Sequence, residues 1–426
     1  MSLAQTKETE VSKRLAEMKV PQSGWSAPAR KEAYNRLMKM GISQRRDEYW
    51  KYTRPDTLTS GEAIPAAVQK DSEGPIFDEL DSHKLVFVDG VYSETLSDGL
   101  FLDGAVLELI STTEEVDIHW AKSLYGSLEK NGQTPVARPL AAFNSAFAGE
   151  GILLHVKETL SKPISLHYIH GSETSDVILH HVIKVDAGAR ATILESGAVA
   201  ARCNMVIEAE IEQGGQLNHI RAQGRDHERR AVTHVFAQLE EHSQFKSFTL
   251  TMNGVLTRNE TVIDMHGDDS VAHVAGASVG DGDFHHDDTV FITHDALRGE
   301  SRQVFKKVLR NGATGVFQGK ILVKPGAQKT DGYQISQSLL LDDDSQFLAK
   351  PELEIYADDV ACSHGSTSGA IDEEALFYLR SRGVAADEAT NLLTLAFLSE
   401  ALSEVENEDI AELINARLEG WLKRRR

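Results

Sequence analysis

Asp186-Ala187-Gly188, Gln213-Gly214-Gly215, Glu241-His242-Ser243 and Asp268-Asp269-Ser270 are four turns whose last residues lie 27, 28 and 27 positions apart. Between them run short apolar, β-branched segments such as Val177-Ile178-Leu179-His180-His181-Val182-Ile183 and Val206-Ile207-Glu208-Ala209-Glu210-Ile211. Later turns at Gly299, Gly312 and Gly326 are about half as far apart. Stacked coils need such a pattern, because each coil must present the same inward positions to the coils above and below it. A meandering antiparallel barrel also places strands at regular spacing, but the long, nearly constant repeat favours a β-solenoid over residues 151–370.

Working outward, helical patterns flank this core. The first fifty residues read as helix, with Pro28 at a first helical position, Gly41 as a stop, and Leu37 and Met38 on the buried face. Lys84 to Tyr92 reads as a strand and turn, and residues 117–150 as helix. Beyond 371, Asp372 caps a helix that Gly383 ends. A second helix runs from about Asp387 to Val405, with Leu392, Leu393, Ala396 and Phe397 on one face. A third, from about Glu408 to Lys423, carries Ile410, Leu413, Ile414, Leu418, Trp421 and Leu422 at helical spacing. The organisation is therefore a largely helical domain with a short β segment (1–150), a solenoid core (151–370) and a C-terminal helical domain (371–426).

The 426 residues include 44 Lys and Arg against 65 Asp and Glu, a formal charge of −21. That excess argues against nucleic acid or an anionic membrane as partner, although Lys423-Arg424-Arg425-Arg426 forms a local basic patch. Two cysteines, Cys203 and Cys362, exclude a disulfide framework and a zinc site built on Cys pairs. Met1 to Leu15 has no apolar core of signal-peptide type and no stretch is long enough to span a membrane, so a cytoplasmic location is expected.

No phosphate-cradling GxxxxGK[ST], GxSxG elbow, HExxH or dinucleotide GxGxxG is present, so a nucleotide-driven activity would need another chain. His285-His286-Asp287-Asp288 and His180-His181 are dense in ligand types, but adjacent strand residues point to opposite faces and cannot share one ion. Cys203 reads as a packed thiol. Cys362-Ser363-His364-Gly365 is more informative. On a strand, Cys362 and His364 project from one face, roughly 6.6 Å apart. A thiolate and an imidazole so placed can ligate a metal or an iron–sulfur cluster, or act as nucleophile and base. They equally fit a buried Cys beside a hydrogen-bonded His. Two ligands do not complete a site.

Five strings resemble the SufB/SufD family of iron–sulfur cluster assembly proteins. They are Phe305-Lys306-Lys307-Val308-Leu309, Gly315 to Val323 (GVFQGKILV), Pro351 to Val360 (PELEIYADDV), Cys362-Ser363-His364-Gly365 and Phe377 to Gly383 (FYLRSRG). The resemblance is dense over about 285–400 and looser over 150–285. Trp50-Lys51-Tyr52-Thr53, Ser366 to Asp372 and the lack of further N-terminal cysteines are closer to the SufD branch than to SufB.

The resemblance implies a mainly β fold, a right-handed parallel β-helix flanked by N-terminal and C-terminal α-helical domains. It implies a non-enzymatic scaffold subunit that pairs with a SufB-like paralogue, while a SufC-like ABC ATPase supplies ATP hydrolysis. It places a transient iron–sulfur cluster at the interface with SufB, with His364 and its neighbour Cys362 taking part, and none on the isolated chain. The C-terminal region docks SufC, with Phe377, Tyr378, Leu379, Leu392, Leu393 and Phe397 as docking residues, and its removal is expected to leave the solenoid folded. Sulfur donor and acceptor apoproteins are indirect partners, and a homodimer can form without SufB. Reduced flavin is associated with some such complexes; no flavin motif is present here. Two other classes stay open. One is a stand-alone solenoid enzyme acting on polysaccharide or ester bonds, whose acidic or metal-binding residues cannot be placed. The other is a structural adaptor in which Cys362 and His364 are core residues.

Overall fold

The computed structural model describes Leu15 and residues 18–68, 74–224 and 228–424. Most of Met1 to Leu15, and Arg425 and Arg426 of the basic patch, lie outside the described residues.

Two parallel sheets face one another. One contains β1 (His83–Val88), β2 (Val91–Tyr92), β6 (Ile164–Ile169), β8 (Arg190–Gly197), β10 (Gln216–Gly224), β12 (Gln244–Met252), β14 (Val271–Asp281), β16 (Glu300–Arg310), β18 (Asp331–Leu340) and β20 (Ala361–Gly369). The other contains β3 (Phe101–Leu102), β4 (Ala105–Leu109), β5 (Ile152–Val156), β7 (Asp176–Val185), β9 (Arg202–Ile211), β11 (Arg230–Leu239), β13 (Leu256–Met265), β15 (His285–His294), β17 (Thr314–Val323) and β19 (Gln346–Ile355). From β5 onward the chain alternates strictly between sheets, and from β7 onward each strand pairs in parallel with the strand two places earlier. This is a parallel β-solenoid, two strands to the coil, and the 27-residue repeat is one coil.

The turns explain the repeat. Gly188, Gly214, His242, Asp269, Arg298 and Lys329 all adopt positive φ. The backbone N–H of each donates to a carbonyl of the next coil's turn, from Gly188 to Gln213 O, Gly214 to Glu241 O, His242 to Asp268 O, Asp269 to Leu297 O, Arg298 to Gln328 O and Lys329 to Asp359 O. One left-handed residue per coil therefore continues the hydrogen-bond ladder around the corner. Asp, Asn and His tolerate that conformation better than most side chains.

Between the sheets the inward rows are apolar towards the start of the even strands, where Ile193, Leu217, Phe245, Ala272 and Val274 meet Met205, Ile207, Ala237, Ile263 and Ile292 of the odd strands. Both outer faces are covered. The odd-strand face (Val182, Val206, Phe236, Val262, Phe291) lies under Trp25, Tyr49, Tyr125 and Leu128 of the N-terminal region. The even-strand face (Phe248, Leu250, Ala275, Ala277, Val304, Val308) lies under the C-terminal helices. Such two-sided cover is what an all-parallel sheet requires.

The long helices are α1 (Ala27–Met40), α2 (Pro139–Phe147), α3 (Glu373–Ser381), α4 (Ala386–Leu402) and α5 (Glu408–Arg424). Gly41, at φ 70°, ends α1 by donating to Leu37 O, and the Asp372 side chain accepts from the N–H groups of Glu374 and Ala375 to start α3. Several expectations need correction. Within the described part of the first fifty residues α-helix is confined to Leu15 and α1, with Pro21 and the left-handed Gly24 interrupting it between them. Leu37 is buried but Met38 is 40% exposed. Residues 117–150 are broken into short pieces by the left-handed Gly126 and by Gly132 and Pro135. In α4 Ala389, Thr394, Leu398, Ala401 and Leu402 are buried and Leu395 and Phe397 pack beside them, whereas Leu392 and Ala396 face outward. The α5 stripe is buried at Ile410, Ile414, Leu418, Trp421 and Leu422. Because α4 and α5 cover the even-strand face, removing 372–426 would expose that face rather than leave the solenoid intact. The 1–150 segment contributes β1, parallel to β6, and β4, antiparallel to β5, so it continues both sheets.

Phe317 is fully buried with its ring centroid 4.9 Å from that of Phe305 across the coil. Phe317→Ala should destabilise the protein by about 3–5 kcal/mol, against less than about 1 kcal/mol for Ile355→Ala at a site 40% exposed. Denaturant unfolding of both variants checks this.

Candidate functional site at the open end of the solenoid

Among the described residues no strand pairs beyond the last coil of the solenoid. β19 and β20 are the terminal strands of their sheets, so one edge of each carries backbone donors and acceptors with no strand beyond. Most of β20 is exposed. Cys362 and His364 both stand on this last strand, in register with Gly332 and Gln334 of β18. Gly332 and Gln334 are in register with Ser301 and Gln303 of β16. Ser301, Gln303 and Gln334 are buried on the inward row. Cys362 and His364 therefore continue the interior file of the solenoid to its mouth, on one side of the strand as their spacing implies.

Their surroundings differ. Cys362 is half-buried against Leu353, Val360 and the cluster formed by Ile321, Val323, Ala327 and Ala357. A Cβ on Gly332 would stand 3.1 Å from its Sγ, tighter than ordinary contact, so glycine makes room for the sulfur. Burial pushes the Cys362 thiol up, and the Asp331 carboxylate adds to this against a backbone hydrogen bond from Gly332 that opposes it. His364 is exposed. Directly behind it the buried amides of Gln334 and Gln303 have no hydrogen-bond partner among the described residues. Farther along, Ser336 Oγ bonds Ser366 Oγ at 3.0 Å and Ser338 Oγ bonds Ser368 Oγ at 2.8 Å. The mouth thus has a soft thiol, an imidazole and a polar floor. Sequence reasoning missed Gln303 and Gln334. Their signal is spacing, since positions 303, 334 and 364 are one coil apart.

The other candidates separate. His286 is buried inside the solenoid, where it contacts Asn259 at 3.0 Å, Ser278 at 2.7 Å and Lys307 at 2.9 Å, whereas His285 meets Thr53 at 3.0 Å on the outer face. His180 bonds Asn144 and Glu208 outside, and His181 bonds Tyr168 inside. Among the described residues no group of three or more His, Cys, Asp or Glu is arranged to hold a metal ion. Cys203 is buried, and burial pushes its thiol up to about 12. Phe377 (74% exposed), Tyr378 (53%) and Leu392 (46%) are open on the C-terminal helices. Leu379 and Leu393 are half-buried. Phe397 is engaged within the chain, packing on the even-strand face with Lys306 Nζ 4.9 Å from its ring centroid.

The family model for the SUF system FeS cluster assembly SufBD core domain matches residues 167–397, which is the solenoid from β6 onward together with α3 and most of α4. The chain belongs to this family. It is 28% identical over 418 residues to the iron-sulfur cluster assembly protein SufD of Escherichia coli K12, with 92% of each chain covered. It is 24% identical over 307 residues to the SufD protein of Bacillus subtilis 168, with 69% of each covered. It is also 25% identical over 402 residues to a SufBD family protein of Synechocystis, covering 88% of this chain and 86% of that one. Its role is in iron–sulfur cluster assembly. No helix among the described residues is long and apolar enough to cross a membrane.

With its thiol pKa raised, Cys362 should react with iodoacetamide more slowly than a free thiol at pH 8, and its rate should still be climbing above pH 9. Cys203 should resist alkylation until the chain unfolds. Peptide mass spectrometry after timed labelling across that pH range reads both.

Proposed function

We propose that this chain is a SufD-type scaffold subunit, without catalytic activity of its own, that acts in the cytoplasm beside a SufB-like paralogue and a SufC-like ATPase. A nascent cluster is cargo held at the junction with the SufB-like chain, with His364 as a ligand and Cys362 beside it. The observation that carries this reading is the open coil end. Two groups able to bind iron stand on a terminal strand whose edge backbone is unpaired, and two ligands on one face cannot enclose a cluster alone. A second chain that pairs with this edge completes the ladder and supplies the remaining ligands in one act. Iron ligation by His364 uses a neutral imidazole nitrogen, and His364 is exposed enough to offer one.

In the complex purified anaerobically, His364→Ala should lower cluster absorbance, iron and sulfide several-fold while circular dichroism and co-purification stay unchanged. Wild-type cluster content in the folded variant would move the assembly to other residues and leave this chain as an adaptor.

The ATPase contact is assigned to the exposed pair Phe377 and Tyr378 on α3 with Leu392 on α4. Because deletion of the helices would uncover the sheet, point changes are the sound test. Phe377→Ala with Tyr378→Ala should weaken capture of the SufC-like chain by about tenfold or more without shifting the melting temperature. Unchanged capture would transfer the contact elsewhere.

A further inference from the structure

Arg229, immediately before β11, is 3% exposed. Its Nη2 donates to Asn253 O at 2.8 Å and Thr257 Oγ1 at 3.2 Å. Among the described residues its Nε and Nη1 have no partner and no carboxylate pairs with it. Among the described residues the titrating group that acts on it is Cys203. Burial pulls the guanidinium down to about 10 and pushes the Cys203 thiol up to about 12. At neutral pH the pair is therefore a cation beside a neutral thiol. Buried charges without a counter-charge are costly enough that proteins pair them or bind an ion to them.

The other charges nearby are already matched. Glu195 accepts from Arg221 Nε at 2.7 Å and from the Tyr168 hydroxyl at 2.7 Å, and contacts His219 at 2.6 Å. Arg229 and Cys203 line a cavity of about 20 Å³ with Tyr168, Glu195, Arg221 and Gln223 among its walls, space for a guest of about one heavy atom. The guanidinium cannot swing away from it freely. A Cβ on Gly254 would lie 2.9 Å from its Cζ and one on Gly224 2.4 Å from its Nη1, and both glycines hold positive φ. Two backbone segments without side chains thus close on the guanidinium.

We propose that this cavity binds one small monoanion, of halide or hydrosulfide size, held by the Arg229 guanidinium beside the Cys203 thiol. The site lies in the first coils of the solenoid, on strands remote in sequence from β20, and does not rest on the cluster reading. A monoanion supplies a counter-charge and accepts from the unused N–H groups of Nε and Nη1, and the apolar side of the thiol suits a large, weakly hydrated ion.

The full chain is melted in gluconate at constant ionic strength, with gluconate replaced stepwise by chloride or bromide, and anaerobically by sulfide at pH 8. Ligand that binds only the folded state raises the melting temperature along a saturation curve; a rise of roughly 1–3 °C is expected for a chain of this size. Arg229→Gln should abolish the rise, while Arg298→Gln, at an exposed turn, keeps it. Saturation at lower sulfide than chloride assigns the site to hydrosulfide, and the reverse order assigns it to halide; either supports the proposal. A rise that never saturates, or that persists in Arg229→Gln, overturns it. Should Arg229→Gln fail to fold, bromide-soaked crystals of the wild-type chain decide: an anomalous peak at hydrogen-bond distance from Arg229 supports the site, and none there refutes it.

Discussion

The backbone donors and acceptors of a parallel solenoid strand are satisfied chiefly by the coil above and the coil below. That single constraint arranges the rest of the molecule. It demands turns that repeat the same left-handed residue, hence the file from Gly188 to Lys329. It demands cover for both outer faces, hence the N-terminal layer and the C-terminal helices. It also demands that something happen at the two ends, where the ladder has no next coil. At the N-terminal end β2, β3 and β4 turn antiparallel, which ends the parallel stacking with short hairpins. At the other end the chain leaves the ladder unfinished at β19 and β20, and there Cys362 and His364 emerge.

The same stacking brings charged residues together that no local pattern would pair. Between the odd strands and the N-terminal layer, Arg138 bonds Glu260 at 3.0 Å, Arg258 bonds both Glu260 and Asp287, and Asp287 accepts from Thr53. The Trp50 ring lies 4.2 Å from the Arg258 guanidinium carbon. Tyr49 donates to Glu352, and Lys350 bonds Glu48. Glu48 to Thr53 is thus a clasp that fastens the N-terminal segment across coils β13 to β19. Buried pairs of this kind add less stability than specificity, since their desolvation offsets much of their attraction; here they specify where the segment lies.

What was legible in the sequence follows from which interactions are local. Helix caps at Gly41 and Asp372 depend on a few neighbouring residues, and the turn repeat depends on conformations that few residue types accept. Both were readable. The inward direction shared by Cys362 and His364 was readable because strand alternation needs only two residues. Met38 was misread because which face of an amphipathic helix is buried depends on the element it meets, here α2, whose residues are far away in sequence. The polar files were invisible for the same reason. Gln334 becomes the neighbour of His364 only once the coil length near 30 residues is known, and that length differs from the 27 of the earlier coils. The accessibility of His364 was unreadable because it comes from the absence of a further coil.

The makeup of the unfinished edge bears on how it can be completed. An exposed parallel edge rich in large apolar residues pairs indiscriminately. β20 instead carries Cys362, Ser363, His364, Gly365, Ser366, Thr367, Ser368 and Gly369, small and polar throughout. The Ser366 and Ser368 hydroxyls are bonded back to Ser336 and Ser338 of β18, while the free edge of the strand stays wet. A partner strand would gain backbone hydrogen bonds there but little apolar burial, and net backbone bonds contribute only about 1 kcal/mol each. Most of the affinity must then come from outside β20, from half-buried β19 and exposed residues such as Tyr356. On the proposed reading, β20 would be free of the task of holding two subunits together, and the register it adopts against a partner would be set by what His364 and Cys362 bind.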